Sequence, residues 1–280
     1  MTGDRSPTLR RRELASQLRD LRKRSGRTVE EVAQELLCSP PKISRIETGV
    51  RSASIRDVRD LCALYEVDEP LRAQLMTLAR EAKQQGWWNS YSDLGIDLLI
   101  GLETEAAQIS SYESCVIPWM FQTSGYARAV IKGILPRIAD HVLDERVAAR
   151  LTRQELITRE SPPYFWSLVD ESALFRRVGG SQIMRDQLDN MVELAAVPNM
   201  TLQVVPLSLG AHPGLDNTFT LLEFKPPQTP VIYAESMAGV LYLEQASDVK
   251  RYKEALMHLH AGALDPDSSV ARIEKARSNL

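Results

Sequence analysis

Ser39-Pro-Pro-Lys-Ile-Ser-Arg-Ile-Glu-Thr-Gly49 decides how this chain is read. Serine is a preferred N-cap, and proline at the first helical position gives up an N–H that has no helical partner there. Gly49 ends the segment, because glycine accepts the left-handed backbone that closes a helix. The spacing predicts a helix over 40–48 with Ile43 and Ile46 inward. Pro40, Pro41, Lys42, Ser44 and Arg45 form its outer face. Working outward, Thr28-Val-Glu-Glu31 is a capping box that starts a helix over 29–36, with Val29, Val32, Ala33 and Leu36 buried. Only Leu37-Cys38 separates the two. Before them, Leu9, Leu14, Leu18 and Leu21 recur at helical spacing up to Gly26. After them, Ser54-Ile-Arg-Asp57 caps a helix through Tyr65, and a fifth runs from about Glu69 to Gln84.

Two short helices joined by a tight turn, the second with a basic polar face, make a helix-turn-helix. Leu18-Arg-Asp-Leu-Arg-Lys-Arg-Ser-Gly-Arg-Thr28, Val32-Ala33 and Ser39 to Gly49 carry a closer likeness. This stretch resembles the phage-repressor/xenobiotic-response-element (XRE-type) helix-turn-helix family, most distinctively in Ser-Arg-Ile-Glu-x-Gly from Ser44 to Gly49. The turn departs from the family's Gly-Val-Ser and reads Leu37-Cys38-Ser39, so Leu37 occupies a position that favours glycine. The resemblance implies that Glu47 pairs with Arg22 and locks the third helix to the first. It also implies that the outer face of the third helix enters the major groove. Arg45 is then the base reader, since its fork matches the O6/N7 edge of guanine. Lys42 reads a base or neutralises a phosphate. Pro40 and Pro41 offer apolar contact, Ser44 lies beside them, and Thr28, Ser39 and Arg51 meet phosphates.

The charge distribution agrees with that reading. The 280 residues carry a net charge of −3, but residues 1–60 hold 14 basic against 9 acidic side chains, or +5, which leaves −8 for the remainder. A basic front on an acidic body suits a front that meets nucleic acid. No apolar run reaches the ~18 residues of a membrane span, and the basic N-terminus has no apolar stretch behind it. Cys38, Cys62 and Cys115 are odd in number and scattered, which fits reduced thiols in a cytoplasm rather than a disulfide framework. No Cys/His pattern fits zinc, and no cofactor is expected.

Domain boundaries are expected at 1–85 for the helix-turn-helix domain and 86–280 for a larger α+β domain. Residues 84–93, with Trp87 and Trp88, read as the junction. Beyond it, helices are expected over 98–112, 123–131, 140–159, 181–195, 246–261 and 267–277. Strands are expected over 164–170, 201–205, 219–224 and 231–235, in a mostly antiparallel sheet. A second likeness lies here, in Gly86-Trp-Trp-x-x-Tyr91, Phe121-Gln-Thr-x-x-Tyr-Ala-Arg128, Asp170-Glu171-x-x-Leu174, Leu202-Gln-Val-Val-Pro206, Gly210-x-His-Pro-Gly214 and Phe219-x-Leu-Leu-Glu223. Together these resemble the C-terminal domain of actinobacterial antitoxin-like developmental regulators. Ile117-Pro-Trp-Met-Phe121 departs from it, with Trp119 where a small residue is usual. The resemblance implies a domain that senses a ligand or a small partner protein encoded next door.

Gln122, Thr123, Arg153, Gln154, His212, Asp216 and Glu235 are the polar candidates of this domain, set beside aromatics as in small-molecule or peptide sites. No nucleophile with an orienting base is legible, so no enzyme is expected. The chain reads as a cytoplasmic, homodimeric regulator of double-stranded DNA with a two-fold operator, with a small-molecule effector or a small protein as second partner and no membrane contact. Two other readings stay open: an antitoxin-like protein that sequesters its partner and autoregulates, and an enzyme acting on a small molecule or nucleotide.

Overall fold

The computed structural model describes residues 7–82, 97–226, 228–236 and 239–280. The expected junction, with Trp87, Trp88 and the boundary at 85/86, lies outside them. The chain divides into two compact units, Met1–Glu105 and Ala106–Leu280.

The first unit is helical: α1 (Pro7–Arg24), α2 (Val29–Glu35), α3 (Pro40–Glu47), α4 (Ile55–Leu64), α5 (Glu69–Glu81) and α6 (Asp97–Glu105). Leu14 and Leu18 of α1, Val32 of α2, Ile43 and Ile46 of α3, and Val58 and Leu61 of α4 meet in one buried cluster. Each large aliphatic side chain so buried contributes about 1.5–3 kcal/mol. Thr28 and Ser54 both complete capping boxes, with Glu31 and Asp57 respectively. At the C-terminus of α2 the Cys38 N–H reaches the Ala33 carbonyl at 2.8 Å and the Leu37 N–H reaches Gln34 at 3.2 Å. That is a Schellman closure, which needs a left-handed residue between the cap and Cys38. Leu37 supplies it at φ 50°. α4 closes the same way through Glu66 at φ 54°.

The second unit is built on one six-stranded sheet of order β3-β2-β1-β4-β5-β6. The strands are β1 (Gln108–Glu113), β2 (Tyr164–Asp170), β3 (Met200–Val205), β4 (Phe219–Glu223), β5 (Val231–Ser236) and β6 (Gly239–Leu243). β1, β2 and β3 are mutually parallel, while β4, β5 and β6 continue antiparallel from β1. The sheet is therefore mixed, with three antiparallel pairings and two parallel ones. Parallel neighbours need crossovers. α7 (Ser124–Ile134) and α8 (Asp140–Gln154) supply the first, and α9 (Ser172–Phe175) and α10 (Ser181–Ala195) the second. Both step the same way along the sheet, so a shared right-handed sense puts these helices on one face. α11 (Ala246–Gly262) covers the other, packing Val249, Leu256 and Leu259 onto Tyr112, Leu168, Val205, Phe219 and Ile232. α12 (Pro266–Ser278) runs along the outer side of β3. There the Leu264 N–H bonds to the Val204 carbonyl, and the Val204 N–H bonds to the Ser269 hydroxyl, each at 2.9 Å.

Two expectations are corrected here. Residues 98–112 are not one helix: α6 stops at Glu105 and β1 starts at Gln108, making 108–113 the centre of the sheet. Ile109 fits the helical spacing of Leu98, Leu102 and Ala106, which hides the change of element. Burial of Ile109, Ser110, Ser111 and Tyr112 in succession marks a strand covered on both faces. β6 lies in a stretch assigned no element. The predicted helix over 140–159 ends as helix at Gln154 and continues as a 3₁₀ turn over Glu155–Ile157.

Candidate functional site

In the first unit α3 is fixed from below and open above. Ile43, Ile46 and Glu47 are buried, whereas Pro40, Pro41, Ser44 and Arg45 share an exposed face. Arg22 grips Glu47 with both arms of its fork, Nε to Oε1 at 2.7 Å and Nη2 to Oε2 at 2.9 Å. Its third donor, Nη1, reaches the Arg27 carbonyl at 2.8 Å. One guanidinium thus ties α1 to the end of α3 and to the loop before α2. The hydrogen bond to Glu47 raises the Arg22 pKa above its usual value, against the cost of burial.

Lys42 is turned aside from the exposed face. Its Nζ meets Asp57 Oδ1 at 2.5 Å, and the same carboxylate accepts the Ser54 N–H at 2.9 Å. Burial pushes the Asp57 carboxyl up, but Lys42 and Ser54 outweigh it and hold it below its ordinary value. Lys42 therefore fastens α3 to α4.

The two helix starts differ. Thr28 spends its hydroxyl on the Glu31 N–H at 3.2 Å, and Glu30 and Glu31 occupy the first turn of α2. At α3 the first two positions are Pro40 and Pro41, which have no N–H, and the Lys42 N–H bonds to the Ser39 carbonyl at 2.9 Å. The Ser39 side chain makes no cap bond, so its hydroxyl and its own N–H are what this end offers a phosphate. Arg51 is exposed just past the helix, its N–H held by the Arg45 carbonyl at 2.9 Å. Arg10 lies in α1 and pairs with Glu81 of α5 at 2.9 Å, while Arg12 is buried.

In the second unit the polar candidates fall into two groups. Gln122, Thr123, Gln154 and Arg153 gather around the 3₁₀ turn Trp119–Phe121. Gln154 donates to the carbonyls of Trp119 and Gln122 at 2.9 and 2.7 Å. The Thr123 N–H goes to Gln187 at 2.8 Å and its hydroxyl caps α7. Gln122 is buried, donating to the Ile117 carbonyl at 2.6 Å and accepting from Arg150 at 2.7 Å. The buried Arg153 guanidinium lies 3.9 Å from the centre of the Trp119 ring. The Trp119 bulk thus serves as a platform for a cation. Glu235 joins this group from β5.

His212 sits on the other face, edge-on to Tyr112 and with Nε2 3.8 Å from Asp170 Oδ2. Asp216 is exposed nearby in the chain. Asp170 also accepts the Ser172 N–H at 2.9 Å, and Glu171 holds the Leu207 N–H at 2.8 Å and pairs with Arg272. These carboxylates tie loops to the end of the sheet. Gly214 presses against the Tyr112 ring, where an added Cβ would lie 2.4 Å from a ring carbon.

A family described as a domain of unknown function, DUF5753, matches residues 96–275. The chain belongs to this family. Residues 13–75 match a second one, described as a helix-turn-helix domain. Residues 13–75 are thus a helix-turn-helix domain and residues 96–275 the DUF5753 domain. No curated protein matches the chain, and no solved structure matches it. Among the described residues no helix is long and apolar enough to cross a membrane, and no group of three or more His, Cys, Asp or Glu could hold a metal.

Three polar residues of the DUF5753 domain escaped the sequence reading: Glu113, Arg150 and Tyr233. Burial drives the Glu113 carboxyl up to about 8, with Arg150 opposing and Glu235 adding to the rise. Burial brings Arg150 down to about 10, helped by Arg153 one turn away. Burial and Glu235 raise Tyr233. Glu113 lies just past the segment 98–112 read as a helix, so its place at the end of a central strand was hidden. Arg150 is one of three arginines in α8, with Arg146 and Arg153, and spacing alone does not tell which of them faces inward.

Proposed function

We propose that this protein is a sequence-specific DNA-binding transcriptional regulator, a homodimer on a two-fold operator, whose DUF5753 domain senses a small molecule or a small protein. The observation that carries the first part is the exposed face of α3, with Arg45 at the surface while Ile43, Ile46 and the Arg22–Glu47 pair anchor the helix beneath. A helix held rigidly with a guanidine fork outward is what major-groove reading requires. Arg51 neutralises a phosphate, and Ser39 positions one at the helix start. The protein acts without catalysis.

A specific feature favours a protein as the second partner. A groove of about 490 Å³ runs over Ile134, Leu135, Pro136, Arg137, Ile138, Val142 and Arg146. Ile134 and Leu135 stand exposed there, as at surfaces that another chain covers.

Genome-wide mapping of bound DNA, followed by binding titrations on the recovered sites, tests the proposal. Arg45→Ala is expected to lose about 1–3 kcal/mol of specific binding and to relax preference at one base pair per half-site. Arg51→Ala is expected to weaken all sequences alike and to flatten the salt slope by about 1. Full sequence preference in the Arg45 variant would overturn the assignment of the reading face.

A further inference from the structure

Ionisable side chains of both signs, Glu113, Glu235 and Arg150 among them, gather at one corner of the DUF5753 sheet. Glu113 ends β1 and Glu235 lies near the end of β5. The register Tyr112↔Phe219↔Ala234 puts both acids one residue further on, so they share the face opposite Tyr112. That is the face on which the crossover helices lie. α8 brings Arg150 to the same corner, within electrostatic reach of Glu113, Glu235 and Tyr233. Thr218 stands beside the Glu113 carboxyl and favours its ionised form, and Glu235 accepts from the Tyr233 phenol at 2.8 Å. Arg150 donates to the Gln122 amide oxygen at 2.7 Å. Among the described residues it makes no contact ion pair with either acid. Glu113, Arg150, Tyr233 and Trp119 are half-buried, and Glu235 is exposed at the rim of the corner. The Tyr233 and Tyr242 rings lie 5.5 Å apart beside it.

Opposite charges that share a half-buried place normally close on each other, because desolvation is costly without contact. Here they stay apart: the Arg150 guanidinium is held by the Gln122 amide, Glu235 by the Tyr233 phenol, and Glu113 rests as a mostly protonated carboxyl. A ligand that carries a cation and an anion a few ångströms apart satisfies both sides at once. We propose that this corner binds a free α-amino acid, its carboxylate on Arg150 and its ammonium between Glu113 and Glu235. The faces of Tyr233 and Tyr242 take the cation's apolar surroundings. The inference rests on the effector-sensing reading and gives that effector a chemical class.

Glu113 supplies a signature that a loop-tying role would not give. Its carboxyl, raised to about 8, is mostly protonated at neutral pH, and an ammonium beside it ionises it. Binding at pH 7 therefore releases a proton. The test is calorimetry on the full chain with the free L-amino acids, their methyl esters and their N-acetyl derivatives, each in phosphate and in Tris. At least one free amino acid is expected to bind, with its ester and its N-acetyl form weaker by tenfold or more. The heat should differ between buffers by the ionisation of one proton. Glu113→Gln should fold, lose tenfold or more in affinity and lose the buffer dependence. Its folding is checked by thermal unfolding. Failure of every amino acid to bind at millimolar concentration, or equal binding of the blocked forms, would overturn the proposal. An amino acid that binds as described without changing operator affinity would uphold the site and remove the sensing reading. An operator response to a different effector, with no amino acid bound, would do the reverse.

Discussion

Leu37 is 94% exposed and holds a left-handed backbone in the turn of the helix-turn-helix. A Cβ in that region costs about 1–2 kcal/mol, and the exposed isobutyl group recovers little by packing. Leu37→Gly is therefore expected to stabilise the helix-turn-helix domain by about 0.5–1 kcal/mol, the gain reduced by the extra freedom of glycine in the unfolded chain. Urea unfolding of the two forms measures it, and a destabilised variant would show that the leucine is held by something other than the turn. Gly214 is the opposite case. Gly214→Ala drives a methyl into the Tyr112 ring, which is fully buried under α11. Overpacking of that kind costs about 1–3 kcal/mol, to be read from the same denaturation curves. The strain at Leu37 was legible in the sequence, because a leucine stood where the turn asks for glycine. The constraint at Gly214 was not, because Tyr112 is about a hundred residues away in the chain and lay in a segment read as helix.

α3 is held at both ends by charge, through Glu47 to Arg22 and through Lys42 to Asp57. Asp57 also caps α4, so one carboxylate serves two helices. Its folded pKa is below its unfolded value of about 3.9, so its stabilisation is complete above that pH and is lost as pH falls through the folded value. Asp57→Asn is expected to flatten the acid limb of the stability curve and leave the variant less stable at neutral pH. An unchanged acid limb, followed by circular dichroism from pH 5 to 2, would place the titration elsewhere. Helix ends in this domain were legible because capping boxes and glycines are local. The Lys42–Asp57 tie spans two helices and no local signal announces it, so Lys42 read as a nucleic-acid contact. β1 failed for a related reason. Ser110 and Ser111 carry no strand propensity, and their burial comes from β2 and β4 on either side. Serines fit there because the Ser111 hydroxyl meets the Ser167 hydroxyl at 3.2 Å across the parallel pair.

At the scale of the molecule, the basic front end and the acidic remainder divide the labour of electrostatics. A front of +5 favours any DNA, which leaves selection to few side chains such as Arg45. One reading helix contacts too few base pairs to single out a site in a genome, so two are required. The full chain is expected to sediment as a dimer and to protect two half-sites about 34 Å apart. Residues 1–85 alone should bind the same DNA far more weakly, since linkage raises effective concentration. A monomer that footprints one unpaired half-site would contradict this. The α+β class was legible from the alternation of helical and strand-like stretches. The division of the polar candidates into two groups was not, because Glu235 gains a face only once the register of β5 is known and the others lie on turns, α8 and a loop.

The sealing of β3 has a consequence for biosynthesis. Its outer edge is closed by Leu264 and Ser269, which follow Val205 by about sixty residues. At a translation rate of about 5–20 residues per second, the ribosome needs roughly 3–13 s to deliver them. During that interval the nascent chain presents a bare apolar strand, a natural client for chaperones. A message cut short before codon 264 would make that exposure permanent, and its product is expected in the aggregated fraction even though every strand of the sheet has been synthesised.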